Sequence, residues 1–190
     1  MLTQALRFLI DIVFSFIVYA ALLRFIMQWM RAPFRNPVGQ AVTALTDWAV
    51  KPLRKLLPGF GGYDWASLIV AWVAQVLWLA ALAAVSGAEF SGAIAAYLLV
   101  LAVLELLKAS LWILIGAVFL QAILSWIAPD GPLAGVLNAL TFRILAPIRR
   151  VVPPLGGSLD LSPLIVIVLA QLALILPVAW MELSLARLFQ

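Results

Sequence analysis

PLRKLLPGFGGYD, residues 52–64, returns as PIRRVVPPLGGSLD, residues 147–160. The copies stand 95 residues apart at their first proline and 96 apart at the aspartate, so one inserted residue separates them. Each copy is preceded by an apolar stretch ending in tryptophan (Trp29, Trp126) and followed by another with a glutamine inside it (Gln75, Gln171). An internal duplication therefore organises the chain. It predicts two halves, 1–87 and 109–190, around a connector, 88–108.

The halves are apolar. Of 190 residues 66% are hydrophobic and only 11% charged, with a mean hydropathy of +1.17. A soluble domain is roughly half apolar, so this composition implies a membrane protein. Cys and His are both absent, which excludes disulfides, thiolate nucleophiles, imidazole ligation of haem and the usual zinc sites. No cofactor and no metal is expected. The net charge of +4 would suggest nucleic acid in a soluble protein, but bases beside membrane spans meet anionic headgroups first. The N-terminus carries Arg7 and Asp11 into an apolar run longer than a signal-peptide core, so it is expected to stay as a first span.

Crossing a hydrocarbon core of roughly 30 Å takes about 20 apolar residues. Four segments qualify: 10–30, 65–85, 109–127 and 161–183. The apolar run 94–107 is shorter and ends at Glu105 and Lys108, so an interfacial or re-entrant helix is expected there, with a fifth crossing as the alternative. Lys and Arg concentrate between spans one and two (Arg31, Arg35, Lys51, Arg54, Lys55) and between spans three and four (Arg143, Arg149, Arg150), whereas residues 86–104 carry none. By the positive-inside rule both basic connectors face the cytoplasm. Arg24, near the inner end of span one, is expected to snorkel to that side.

Each basic connector has helical periodicity. Val38, Val42, Leu45, Ala49, Leu53 and Leu56 recur at steps of three and four, as do Leu133, Val136, Leu137, Leu140, Ile144, Ile148 and Val151. Amphipathic helices are predicted over 37–57 and 132–152, opened by Asn36-Pro37 and Gly131-Pro132. Pro52 and Pro147 should kink or interrupt them, and Pro58 and Pro153 should end them. Such helices, with bases on the polar face, suit the headgroup layer. The fold class is all-α: two parallel repeats, each of span, interfacial helix and span. Trp29, Trp65 and Trp126 belong at the interface.

Pro147, Arg149, Arg150, Pro153, Gly157, Asp160, Ser162 and Pro163, after a span ending in Trp126, resemble the YggT family of small bacterial membrane proteins and its YlmG relatives in photosynthetic lineages. The first copy departs at Lys55, which replaces an arginine, and at Trp65-Ala66-Ser67, where the family has Ser-Pro. The resemblance covers nearly the whole chain and implies architecture more than activity. Relatives have been linked to osmotic or salt tolerance and ion uptake, to division and nucleoid placement, and in plastids to assembly of a haem-bearing cytochrome complex. None supplies a catalytic motif.

Candidate functional residues follow the duplication. Lys51, Arg54, Lys55, Arg143, Arg149 and Arg150 either set topology and attract anionic phospholipid generically or dock a membrane or cytoplasmic protein partner or a specific headgroup. Asp64 and Asp160 either cap the following spans or, if the repeats pair, bind a cation. Gln75 and Gln171 lie about 16 Å into their spans, where interhelical hydrogen bonding is the ordinary outcome and a pore lining the other. Asp11 and Lys108 occupy equivalent positions and could bridge the repeats, with Glu105 competing for Lys108. Pro177 should kink span four and free the carbonyl of Ala173. These features point to a non-enzymatic scaffold or accessory protein, and the resemblance implies a role in envelope organisation or osmotic stress response. A small ion channel or transporter, oligomeric because four spans hardly enclose a water path, is the alternative.

Overall fold

The computed structural model describes residues 1–57, 59, 61–129, 131, 133–153 and 160–189. Among them the regular structure is helical: α1 (Leu2–Trp29), α2 (Pro37–Leu56), α3 (Trp65–Val85), α4 (Gly92–Ile127), α5 (Ala134–Val151), α6 (Ser162–Ala173), a π-helical turn (Leu174–Val178) and α7 (Ala179–Leu188). Four helical stretches are long and apolar enough to cross a membrane: α1, α3, α4 and the run Ser162–Leu188.

Local chemistry sets the boundaries. Asn36 caps α2, accepting 2.9 Å from the Gly39 amide, and Pro37 fills the first turn, where its missing N–H is not needed. α1 and α3 stop in the same way. The amide of Ala32 reaches the Met27 carbonyl while Arg31 adopts φ 56°, and the amide of Ala88 reaches Ala83 while Gly87 adopts φ 78°. This is the left-handed helix stop that glycine favours, and in α1 an arginine occupies it.

Three expectations about helix extent change. Residues 94–107 do not form a separate interfacial or re-entrant helix; they continue into the third span as α4, 36 residues and roughly 54 Å long. No proline interrupts this stretch, Ser91 caps its start, and the Glu105 and Lys108 charges that suggested an end pair with each other at 2.8 Å. α2 and α5 run without a break through Pro52 and Pro147, each losing one hydrogen bond but not its helix. α5 begins at Ala134, and Pro132, its expected start, lies outside the described residues, as do Pro58 and Gly156-Gly157. At Pro177, the expected site of a kink in span four, the chain accommodates the missing donor by widening into the π-helical turn.

Small residues let the long helices approach. Val18, Ala21 and Leu22 of α1 pack with Ala71 and Ala74 of α3 and with Leu106 and Ala109 of α4. Farther along, Met27 of α1 and Ala117 of α4 pack with Val136 and Leu140 of α5. The rising numbers on both α1 and α4 show that these two helices run the same way. Val118, Leu145 and Val166 join α4, α5 and α6.

The buried face of α2 is Gly39, Val42, Thr46 and Val50, rotated from the expected stripe so that Leu45 and Leu56 are exposed beside Trp48. A stripe that wide exceeds what one helix–helix contact covers, so packing selects one edge of it. Close approach also explains Gly39, where a Cβ would collide with the Phe34 carbonyl oxygen.

Candidate functional site

Arg24 lies in the apolar run of α1, where an unpaired guanidinium would be expensive. Instead of snorkelling it is buried, 3% exposed, and turned onto α2. Its Nη1 donates to Thr46 Oγ1 at 2.6 Å and to Asp47 Oδ1 at 2.8 Å, and its Nε stands 3.8 Å from Asp64 Oδ2. Asp64 caps α3 through the Ser67 amide, accepts from the Ser67 hydroxyl, and is clamped by Arg54, whose Nε donates to Oδ1 at 3.1 Å and whose Nη2 pairs with Oδ2. One network of two arginines and two aspartates thus ties α1, α2 and the start of α3.

Its electrostatics are those of paired carboxylates. Burial alone would raise the Asp64 carboxyl, but hydrogen bonds from Arg54 and Ser67 hold it below its ordinary value. Lys51, 2.8 Å away on the same helix, and then Arg24 hold Asp47 down in the same way. The Arg54 guanidinium is pushed further above its ordinary value by Asp64.

The second half repeats part of this geometry. Arg149 donates to Asp160 at 2.9 Å, as Arg54 does to Asp64, and the Ser162 amide donates to Asp160 Oδ1 at 2.9 Å. Burial raises Asp160, yet Ser162 and Arg149 hold it below the usual range. Where the first half has Arg24, Thr46 and Asp47, the second has Gln121, Thr141 and Phe142. The Thr141 hydroxyl donates to Gln121 Oε1, and Gln121 reaches Asn138 at 3.4 Å. The clamp there is neutral.

Of the bases expected to form a docking surface, Arg54 and Arg149 are therefore committed to internal aspartates. Lys55, Arg143 and Arg150 are exposed and form no ion pair among the described residues. Lys51 is exposed and leans on Asp47. Asp64 and Asp160 belong to separate networks.

A second polar cluster lies between the long helices. Asp11 does not bridge to Lys108; it accepts from the Trp78 indole at 2.8 Å. Lys108 binds Glu105 at 2.8 Å and Glu182 of α7 at 3.4 Å, because α7 brings a carboxylate to α4 that spacing alone does not reveal. Gln75 is buried and, with Tyr19, Glu105 and Lys108, lines a cavity of about 300 Å³. Neither Gln75 nor Gln171 makes a side-chain hydrogen bond to a described residue, so the interhelical bonds expected of them are not formed. No group of three metal-ligating side chains occurs among the described residues.

Sequence reasoning undervalued Arg24 and missed Asp47, Thr46 and Glu182 as site residues. A charge inside an apolar span was the available signal. For Asp47 and Glu182, which look like ordinary solvated carboxylates, none was.

Four apolar helices joined by short basic helices, with ion pairs sealing the joints, define a polytopic helical membrane protein. The CCB3/YggT family model matches residues 3–85 and 100–181, so the chain belongs to this family. It is 35% identical to an uncharacterised protein of Vibrio alginolyticus over 90% of this chain and 91% of that one. It is likewise 35% identical to the uncharacterised protein YggT of Escherichia coli K12, over 87% of this chain and 85% of the relative, and to an uncharacterised Pseudomonas aeruginosa protein over 86% and 83%. These likenesses indicate no enzymatic family. No solved structure matches the chain.

Proposed function

We propose that this protein is a non-enzymatic scaffold or accessory protein of the bacterial cytoplasmic membrane, serving envelope organisation or the response to osmotic stress. Its two halves are parallel repeats, and both short basic helices lie on the cytoplasmic side, offering Lys55 and Arg150 to anionic lipid and to a protein partner. The common direction of α1 and α4 and the concentration of eight of the twelve Lys and Arg residues in the two connectors support this orientation.

The observation that carries the reading is the division of labour within each basic pair. One arginine of each, Arg54 or Arg149, is locked to the aspartate before the next span, and its neighbour, Lys55 or Arg150, is exposed and unpaired among the described residues. The locked residue fixes the end of the helix, so the free one is held at a defined place beside the membrane. A surface charge serving only topology needs no such fixing. Reversing Lys55 and Arg150 to Glu, followed by crosslinking in native membranes, tests this. The scaffold reading expects loss of a crosslinked neighbour with the spans still inserted; an unchanged set of neighbours overturns it.

The cavity beside Gln75, Glu105 and Lys108 favours a second reading, a small ion channel or transporter acting as an oligomer. Selective ion flux in liposomes that is abolished by Gln75→Leu would support it.

A further inference from the structure

A groove of about 800 Å³ runs between the two halves, with α1 and α3 as one wall and α4 and α5 as the other. Its volume lies within the range of small-molecule sites. Its walls are apolar: Phe25, Leu68, Leu107 and Leu111 are typical, and Ser110 turns its hydroxyl away to the Leu106 carbonyl of its own helix. Among the described residues, Arg143 is the one charged side chain that lines it. Polarity is therefore segregated, with a cation where α5 meets the groove and hydrocarbon elsewhere.

Arg143 is exposed, and its only hydrogen bond to a described residue is a 3.5 Å contact with the Trp29 carbonyl. Arginine is concentrated nearby: α5 carries three arginines and no carboxylate, Arg149 among them being paired with Asp160, and the turn after α1 contributes Arg31 and Arg35. Trp29 and Trp65, residues suited to a membrane–water boundary, both line the groove, and the Trp29 backbone meets this cation.

We propose that this groove binds one anionic phospholipid of the inner leaflet, with an acyl chain along the apolar walls and the phosphate on the guanidinium of Arg143. A planar guanidinium can hold phosphate oxygens in bidentate fashion, and Arg143, which has no ion-pair partner among the described residues, favours a headgroup with net negative charge over a zwitterionic one. A lipid there completes the contact between the halves, which α1, α3 and α4 leave open on this side. The proposal rests on the assignment of the basic connectors to the cytoplasmic face but not on any protein partner.

The test uses the purified full-length chain in detergent, titrated with phosphatidylglycerol or phosphatidylcholine and read by native mass spectrometry. One phosphatidylglycerol should remain bound per chain, in preference to phosphatidylcholine. Arg143→Gln, at an exposed position, should weaken that lipid about fivefold. The double variant V103F/L107F, which narrows the groove at two exposed positions, should remove it while circular dichroism shows the helices intact. Lys55→Gln with Arg150→Gln should leave this lipid in place, which separates the groove from general attraction by the connector bases. Equal retention of the two lipids, an unchanged affinity in Arg143→Gln, or a lipid-free dimer in which a second copy fills the groove overturns the proposal, and none of these outcomes touches the crosslinking result for Lys55 and Arg150.

Discussion

The two short helices are joined to their spans by different chemistry. In the first half a buried guanidinium, Arg24, satisfies Thr46 and Asp47 and approaches Asp64; in the second Gln121 satisfies Thr141, with Phe142 where the aspartate stood. The arginine–aspartate pair before the following span is kept in both. Corresponding joints in the two halves thus use a charged set of partners in one and a neutral set in the other. Replacing a buried ion pair as a unit is often nearly neutral, whereas removing one partner strands a charge.

The largest effect should come from breaking that unity. Arg24→Ala leaves Asp47 and Asp64 without their buried counter-charge and should cost about 3 to 5 kcal/mol, read as loss of thermal stability in detergent. Gln121→Ala should cost only about 1 kcal/mol, since a neutral hydrogen bond is lost. If R24Q/D47F, which imports the second half's chemistry, is no more stable than Arg24→Gln alone, the two joints are not interchangeable and the comparison fails.

Asp64→Asn should rank next, at about 2 kcal/mol, because it weakens charge-assisted bonds to a side chain only 2% exposed. Asp160 is 27% exposed, so Asp160→Asn should cost less, about 1 kcal/mol. Equal losses would show that burial does not distinguish the two halves.

Acid should expose the same asymmetry. Asp47, Asp64 and Asp160 are all held below the ordinary carboxylate value, so their stabilisation is fully present above about pH 4 and is lost as pH falls through their lowered values. Thermal stability should be flat between about pH 7 and pH 5 and should decline below about pH 4. Asp64→Asn should flatten that decline more than Asp160→Asn does. The smallest effect belongs to Lys51→Ala, whose exposed pair with Asp47 along α2 should contribute only about 0.3 to 0.5 kcal/mol.

Much of the architecture was legible because hydrophobic length and proline placement act locally. The spans and the two short helices followed from such features, and the family resemblance from the motif 147–163. The extent of α4 was misread because Glu105 and Lys108 look like a helix end until their pairing with each other and with Glu182 is known. Asp11 was misassigned for a related reason: equivalent positions in two repeats need not meet, and the Trp78 indole was nearer. The rotation of α2 could not be read from its wide apolar stripe, since either edge could have packed.

By itself the sequence determined that this chain is helical, with four stretches long and apolar enough to cross a membrane, because composition and periodicity constrain each segment independently of its neighbours. Only the tertiary structure decided which charges are spent inside the protein. Whether Arg24 or Arg54 faces solvent or an aspartate depends on helix positions set by alanine-rich contacts distant in sequence, and a charge's role changes with the few ångströms that packing supplies.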